Sequence, residues 1–446
     1  MQRPDAKLLV EKTRPSTLPK KIIYILVRSR TSPKIVRRTF LLFVFTIPLD
    51  FIDLDALRGV ASLTRLVGLL FFSTCLLFPK SCFRRPPQAL WWFAGYVAIY
   101  LLNGLFLPKE YGDLFINGFQ TLIQLLVFCW IGSTLLQEDK LMRHALLAFS
   151  IATLLAATAM LLGLPGFVEM REGRLSTIGA NPNGLAALMA LTAQALIGLG
   201  IYHTLGNIWM RVTCMAMSLV PITAMVYTGS RGSIIAFLTG AGVYALPYYG
   251  SKGKMAALLG VAIAVVSVVY VVVNDQNTLS RFEHSYYKDE TAGRDKLFAA
   301  AKEMIAEKPL LGWQPIVFNY ELGARTRRRV VDAHNLFFHL LMEGGLVGAT
   351  PFLIGLGLCV RAAWTARTCS LGLLQLVWLI TMIVLSMSGS WITMKLLWFV
   401  VAFNLASEAF TLKQHKRKNL FIRTILQYSQ KKSASSDTVA GLLRSG

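Results

Sequence analysis

Long apolar runs recur along the whole chain, and they constrain its fold more than any other feature. A run of about 20 apolar residues crosses a hydrocarbon layer about 30 Å thick, with its backbone polar groups hydrogen-bonded inside one helix. Hydrophobic residues make up 54% of the 446 residues and charged residues 15%, which is more apolar surface than a water-soluble core buries. We therefore expect an all-α integral membrane protein, a polytopic bundle of about 12 transmembrane helices.

Twelve segments are apolar enough to be predicted spans. They are residues 40–56, 63–78, 89–107, 114–136, 144–164, 180–202, 209–228, 232–249, 254–273, 333–360, 371–387 and 391–410. The predicted organisation is a basic N-terminal segment at 1–38, spans one to nine within 39–273, a long polar loop at 274–332, spans ten to twelve within 333–412, and a basic tail at 413–446.

The distribution of Lys and Arg predicts the orientation. The net charge is +23, and the basic residues cluster at both ends and in alternate short loops. By the positive-inside rule both termini are cytoplasmic, so this charge reflects topology and, secondarily, anionic lipid, and we expect no nucleic-acid partner. The N-terminal KKIIYILVRSR is too short and too basic on both sides for a signal peptide. Loops 163–184 and 274–332 are then extracytoplasmic.

The sequence predicts neither a metal nor a cofactor. The cysteines are isolated and form no CxxC pair, which argues against a disulfide framework and a metal site; they are Cys75, Cys82, Cys129, Cys214, Cys359 and Cys369. Asp53 and Asp55 match the acidic pair with which many nucleotide-sugar transferases hold a divalent metal. That pair lies on the wrong side of the membrane for nucleotide sugars and has no soluble α/β domain around it, so we set it aside.

Three polar residues from distant parts of the sequence fall at the extracytoplasmic ends of spans. Arg231 begins a span within TGSRGS, where a helix N-terminus and a guanidinium fork suit phosphate oxygens; the alternative is an arginine that reaches for lipid headgroups. Arg174 lies before span six and could instead be a solvated partner of Glu172. His334 opens span ten, where an imidazole could accept a proton or carry charge toward a phosphate.

The residues around His334 have several interpretations. His339 follows five residues later, which predicts a different side of the helix and argues against a shared metal site. Asp332 could orient His334 or cap the helix, and we expect the cap. Glu343 needs a partner or a water-filled cavity inside the membrane, and Lys395 is a candidate partner or a further phosphate contact.

The loop 274–332 contains two more features. The run TAGRDKLFAAAKEMIAEKPLLGW has apolar residues at helical spacing and predicts an amphipathic helix that stops before Pro309 and lies on the bundle or in the headgroup layer. The run ARTRRRVVD, with Arg327 and Arg328, is either a headgroup-binding patch or part of a pyrophosphate funnel.

The motifs TGSRGSIIAFLTG, GRDKLFAAAKEMIAEKPLLGW and DAHNLFFHLLMEGGLVG, in this order over roughly residues 170 to 390, resemble the O-antigen ligase and polymerase family of bacterial envelope enzymes. The resemblance implies a GT-C-like fold in the bacterial inner membrane and a metal-independent, inverting glycosyltransferase at the periplasmic face. The donor would be an undecaprenyl-diphosphate-linked glycan, and the acceptor a glycan on carrier lipid or lipid A-core.

The resemblance also implies roles for residues. Arg231 and His334 carry over by motif as catalytic residues, and Arg174 carries over by position. The expected substrate-binding residues are Arg174, Arg294, Arg327, Arg328 and Lys395. A polymerase is slightly favoured over a ligase. A transporter of lipid-linked glycan and a non-catalytic assembly partner are the alternatives; a transporter predicts ionisable residues near mid-membrane and broken helices in related halves.

Overall fold

The computed structural model describes residues 31–51, 63–165, 168–171, 174–177, 181–202, 207–246, 251–287, 294–368 and 370–442. The larger of two compact units is Pro33–Thr411, which holds every feature discussed below; the other includes the described residues Leu412–Leu442. The segment KKIIYILVRSR and the pair Asp53 and Asp55 lie outside the described residues.

The described chain is mainly helical. Its helices are α1 (Lys34–Thr46), α2 (Leu63–Leu77), α3 (Gln88–Gly104), α4 (Gly112–Leu135), α5 (Asp139–Leu161), α6 (Pro182–Ile201), α7 (Ile208–Met217), α8 (Leu219–Tyr227), α9 (Arg231–Val243), α10 (Ser251–Asn274), α11 (Gln276–Tyr287), α12 (Arg294–Glu307), α13 (Val317–Arg325), α14 (Leu336–Ala366), α15 (Leu374–Leu385) and α16 (Lys395–Leu442). Short helical turns occur at Pro48–Phe51, Pro79–Cys82 and Lys109–Tyr111. Strands β1 (Val168–Arg171) and β2 (Arg174–Thr177) form an antiparallel hairpin.

The helices support a polytopic membrane protein but do not confirm twelve spans. Each of the twelve predicted segments contains helix where it is described. Among the described residues, six segments are long and apolar enough to cross a membrane, or seven if a pair bent by 92° counts as one span. The others are shorter: α9 has 13 residues and α15 has 12, which at 1.5 Å per residue is about 20 Å or less.

Helix α6 is the centre of the bundle. It packs against α5, α7, α8, α9 and α15, and its apolar window is entirely buried. Apolar residues surround its axis, as expected for a helix enclosed on every side. The polar Gln194 is satisfied within this core, because its Nε2 donates to Thr381 Oγ1 at 2.8 Å and to the Phe237 carbonyl at 3.1 Å.

The loop 274–332 is largely folded and forms a small helical layer. Helix α12 ends at Glu307, before Pro309, and buries Leu297, Ala301 and Met304, so the predicted amphipathic helix is confirmed. These side chains form a second apolar cluster with α13, the segment before α14, and Met342 of α14. The layer therefore packs against the N-terminal part of α14.

Helix α14 is broken at Gly345, whose φ of 61° and ψ of −161° are non-helical. The segment from Pro309 to Trp313 lies in this break. The amide of Trp313 donates to the Met342 carbonyl at 2.6 Å, and that of Leu346 donates to the Pro309 carbonyl at 2.8 Å. The segment thereby satisfies backbone groups that a broken helix leaves open.

Candidate functional site

A turn of four residues before and at the start of α9 brings several arginines together. The turn Thr228–Arg231 contains Gly229 with φ of 62°. A Cβ built on Gly229 would lie 3.5 Å from Cγ of Arg174 and 3.3 Å from Cδ of Arg281. Glycine therefore provides both the left-handed backbone and the room for two guanidinium side chains to pass.

Arg174 is held from two sides. It begins β2, and its Nε donates to the Thr228 carbonyl at 2.7 Å while a terminal nitrogen donates to Asn183 Oδ1 at 2.8 Å. Asn183 lies in the first turn of α6, which Asn181 caps through the Asn183 amide, as the NPN pattern predicts. The start of α6 and the turn before α9 thus fix the position of Arg174.

Arg231 lies beside two further arginines. Its guanidinium donates to the carbonyl of Arg281 at 2.8 Å, and the charges of Arg281 and Arg294 both act on it. Burial and the neighbouring charge of Arg281 lower the pKa of Arg294 below its ordinary value. The Nε of Arg281 is buried and makes no hydrogen bond within the described residues. Arg174, Arg231, Arg281 and Arg294 form the arginine cluster. Like charges this close together favour a bound anion.

Sequence reasoning missed Arg281. It lies in α11, within a polar loop rich in basic residues, and no motif distinguishes it from its neighbours. Its place in the cluster depends on the 92° bend between α10 and α11, which sequence patterns do not specify.

His334 lies in the segment that leads into α14 and has a left-handed backbone with φ of 49°. Such a conformation is uncommon for a residue with a side chain and is found at functional sites. Nδ1 of His334 lies 3.6 Å from Oδ2 of Asp332. The expectation that Asp332 caps the helix is wrong: Asn335 is the cap, and its side chain accepts from the amides of Phe337 and Phe338.

Asp332 faces a second histidine. Nδ1 of His339 lies 3.8 Å from Oδ1 of Asp332, the oxygen that also accepts a hydrogen bond from Ser390. The five-residue spacing led us to place the two histidines on different sides of one helix. Because α14 begins only at Leu336, His334 lies outside the helix and both rings reach the same carboxylate.

The row of polar groups continues inward along α14. Nε2 of His339 lies 3.5 Å from Oε1 of Glu343, and the hydroxyl of Tyr96 on α3 donates to Oε2 of Glu343 at 2.5 Å. Glu343 therefore has the partners that its burial requires. Lys395 is not one of them, since its ammonium lies 2.5 Å from Asp50; that part of the prediction is wrong.

One turn joins the arginine cluster to His334. In the turn 386–390 the Ser386 carbonyl accepts from the amide of Leu336 at 2.8 Å, and Ser390 bonds Asp332. On the other side, a Cβ built on Gly232 would lie 2.9 Å from Oγ of Ser388. The starts of α9 and α14, with Arg231 and His334, thus lie against the same turn.

The arginines of the run ARTRRRVVD, residues 324–332, differ in their partners and exposure. Arg325 forms a bidentate pair with Glu307, with both N–O distances 2.7 Å, and a third contact with Glu321. Hydrogen bonds to these carboxylates raise the pKa of Arg325. Arg327 and Arg328 are exposed. No group of three or more His, Cys, Asp or Glu side chains in the described ranges is placed to hold a metal ion.

This arrangement has two chemical capacities. Clustered guanidinium groups at a helix start can hold an anion such as a diphosphate. An imidazole whose Nδ1 faces a carboxylate keeps its other nitrogen available to exchange a proton with a bound group. The predicted residues Arg174, Arg231, Arg294 and His334 contribute to these two features, whereas Lys395 is engaged with Asp50.

Comparison with known proteins gives one finding on this region. No curated protein matches the chain significantly. Residues 216–353 match the family model described as O-antigen ligase, and this interval includes Arg231, His334 and Glu343. The match confirms that this region resembles the O-antigen ligase and polymerase family, as its motifs predicted.

Proposed function

We propose that this chain is a metal-independent, inverting glycosyltransferase of the bacterial inner membrane. It takes a glycan from undecaprenyl diphosphate and joins it to a glycan acceptor at the periplasmic face, in the synthesis of cell-surface polysaccharide. The family match supports a membrane enzyme of O-antigen processing. The observation that carries the finer proposal is the turn 386–390, which brings the arginine cluster and the His334–Asp332 pair to one end of the bundle.

The donor fits the charge of the cluster. A polyprenyl diphosphate is already an activated leaving group, so transfer needs no nucleotide. Negative charge grows on the departing diphosphate as the anomeric carbon–oxygen bond breaks, and fixed guanidinium groups stabilise that charge. Arg231 and Arg174 would perform this role, with Arg281 and Arg294 adding positive charge. Exposed Arg327 and Arg328 would contact the donor or lipid headgroups.

His334 would act on the acceptor or on the diphosphate. The acceptor hydroxyl forms the new bond to the anomeric carbon and loses its proton, and the old bond to the diphosphate breaks. His334 would accept that proton or contact the diphosphate as a cation. The polymerase, which joins glycans on carrier lipid, is slightly favoured over the ligase, which uses lipid A-core.

A transporter of lipid-linked glycan is the alternative from another class. The buried Glu343–His339 pair and the break in α14 are features that transporters also use. A transfer assay separates the two, since a transporter moves lipid-linked glycan between leaflets without forming a new glycosidic bond.

The test is transfer by purified full-length protein in nanodiscs, with undecaprenyl-diphosphate-linked glycan from the native strain as donor and EDTA present. Carrier-linked glycan and lipid A-core are offered in parallel as acceptors. We expect Arg231→Ala and His334→Ala each to lower the rate about 100-fold or more. The matched controls are Arg361→Ala, an arginine whose side chain is 63% exposed, and His144→Ala on the exposed side of α5, which keep the wild-type rate.

Each outcome decides one part of the proposal. Longer carrier-linked chains indicate a polymerase, and product on lipid A-core indicates a ligase. Equal rates in wild type and both variants would show that the site is elsewhere. Movement of glycan between the leaflets of proteoliposomes, with no transfer by the wild type, would establish the transporter.

A further inference from the structure

Behind His334 a row of polar side chains extends into the bundle, and the proposed reaction uses only its outer end. In order, the row is His334, Asp332, His339, Glu343 and Tyr96. Successive separations are 3.6, 3.8, 3.5 and 2.5 Å. The first three are contacts between imidazole nitrogens and carboxylate oxygens at or beyond hydrogen-bond length, and such contacts in substrate-free sites often shorten when substrate binds.

The inner members are enclosed by three elements. The side chain of Glu343 is 6% exposed and that of His339 is 12% exposed. Tyr96 comes from α3. The ring of Phe318 on α13 contacts the ring of His339, with 4.7 Å between their centroids. Burying a carboxylate and an imidazole is costly unless each is paired. The contacts among these groups therefore offset part of the cost of burying them.

Asp332 is the member that the others position. Its Oδ1 accepts from Ser390 and faces His339, which leaves Oδ2 directed at His334. A neutral imidazole carries one N–H, and a carboxylate at Nδ1 draws that N–H to itself and leaves Nε2 with a free lone pair. His339, held by Glu343, thus fixes the carboxylate that selects the tautomer of His334.

We infer that His339 and Glu343 are positioning residues for glycan transfer, and that through Asp332 they make His334 a general base rather than a cationic contact. This inference rests on the proposed function. In the step, the acceptor oxygen bonds to the anomeric carbon and its proton moves to Nε2 of His334. The electron pair of the breaking bond leaves with the diphosphate. Asp332 stabilises the imidazolium that forms.

The two possible roles of His334, general base and cationic contact, predict opposite effects of pH on the transfer rate. A general base must be neutral, so the rate falls as pH drops below the pKa of the imidazole; a cationic contact must be protonated, so the rate falls as pH rises. Among the described contacts, the charged group facing His334 is Asp332, and behind it lie His339, Glu343 and Tyr96; the turn 386–390 contributes the uncharged Ser390.

The experiment measures kcat and KM for wild type, His339→Gln and Glu343→Gln from about pH 5 to 9, in the nanodisc assay described above. We expect kcat to fall about tenfold to hundredfold in both variants. KM, and the Kd for undecaprenyl diphosphate alone, should stay unchanged. Asp332→Asn should lower kcat at least as far, because an amide in place of the carboxylate no longer selects the tautomer of His334 with a free lone pair on Nε2.

Controls separate positioning from folding. Glu408→Gln removes a half-buried carboxylate at a distance from the row and His144→Gln an exposed histidine, and both should keep the wild-type kcat. If Glu343→Gln does not fold, Tyr96→Phe replaces it, since it removes only the hydroxyl that bonds Glu343.

The outcomes distinguish this inference from the function on which it rests. Wild-type kcat in the His339 and Glu343 variants, or a wild-type rate that falls as pH rises through neutrality, would overturn the inference and leave the proposed transferase standing. A wild type that transfers no glycan and binds no undecaprenyl diphosphate would overturn both.

Discussion

At the scale of single residues, the arginines of this chain divide by their partners. Arg325 meets two carboxylates, so its charge is neutralised locally and its role is to join α12 to α13. Arg231 instead donates to a backbone carbonyl and lies beside two other cations. A guanidinium among like charges keeps its positive potential for a bound group. Neighbours rather than residue type therefore separate structural arginines from those of the candidate site.

Replacement of Arg281 tests the cluster at this scale. Arg281→Ala should weaken binding of undecaprenyl diphosphate roughly 10- to 100-fold, because a charge-assisted hydrogen bond contributes about 1.5–3 kcal/mol. The measurement is the Kd in nanodiscs at two salt concentrations, with Arg361→Ala as the matched control. An unchanged Kd would remove Arg281 from the site and leave Arg231 to be tested separately.

Asp332 makes a second prediction, on stability. Partial desolvation raises the pKa of its carboxyl, but the contacts with His339, Ser390 and His334 outweigh this and hold the pKa at about 2. Since the folded pKa lies below the ordinary 3.8, the ionised carboxylate stabilises the fold above that value, and the effect is lost only as pH falls toward 2. Asp332→Asn should therefore lower the thermal unfolding midpoint at both pH 5 and pH 8, because the carboxylate is ionised at both values. A midpoint lowered at pH 8 but not at pH 5 would show that the Asp332 carboxylate is not ionised at pH 5 in the folded protein.

At the level of secondary-structure elements, the motifs EGG (residues 343–345) and PLLGW (residues 309–313) form one structural unit. The chain from Pro309 to Trp313 inserts where α14 breaks, and a Cβ built on Gly345 would lie 2.3 Å from the Leu310 carbonyl carbon. The break lies two residues after Glu343, so the junction that attaches the loop layer to α14 is next to the inner end of the polar row. Gly345 is glycine because its left-handed φ and this close backbone approach leave no room for a side chain.

Two separate glycine substitutions in α14, one at the break and one away from it, test that junction. Gly345→Ala should destabilise the protein by about 1–3 kcal/mol or more, because it adds both backbone strain and a clash. Gly357→Ala is the matched control, since a Cβ there meets nothing within 4 Å and alanine is the better helix former. The thermal inactivation midpoint should fall for the first variant and stay level or rise for the second. Equal midpoints would show that the junction is not tightly packed.

At the scale of the whole molecule, the orientation of the site is the decisive property. The candidate residues gather at the starts of α6, α9 and α14, which charge bias assigns to the extracytoplasmic side. Cysteine labelling in intact cells tests this. A membrane-impermeant maleimide should label Arg328→Cys and leave Lys80→Cys unlabelled until the cells are permeabilised; both positions are exposed. Native Cys75, Cys82, Cys129 and Cys359 are buried, whereas Cys214 is half-buried, so the labelling uses a protein in which Cys214 and Cys369 are replaced by serine. The reverse pattern would invert the topology.

The membrane class, the helical segments and the resemblance to the O-antigen ligase family could be predicted from the sequence alone, because long apolar runs and short ordered motifs are local features. The sequence also predicted Arg231 and His334 as candidate site residues, and it predicted α12 from apolar residues at helical spacing. The count of twelve spans was not confirmed, since hydropathy does not reveal that α9 and α15 are short. The cap at Asn335 and the two histidines on one carboxylate depend on where α14 begins.

Which polar groups meet depends on how the helices pack. Asp332 faces His339, Glu343 meets Tyr96, and Arg281 joins Arg231, because a turn, a helix break and a 92° bend bring together residues up to 247 positions apart. Sequence spacing predicts neighbours along one helix, whereas contacts between helices arise from packing, which has no local signature. Local sequence patterns therefore predict the class of this protein, whereas the contacts among its candidate site residues depend on how its helices pack.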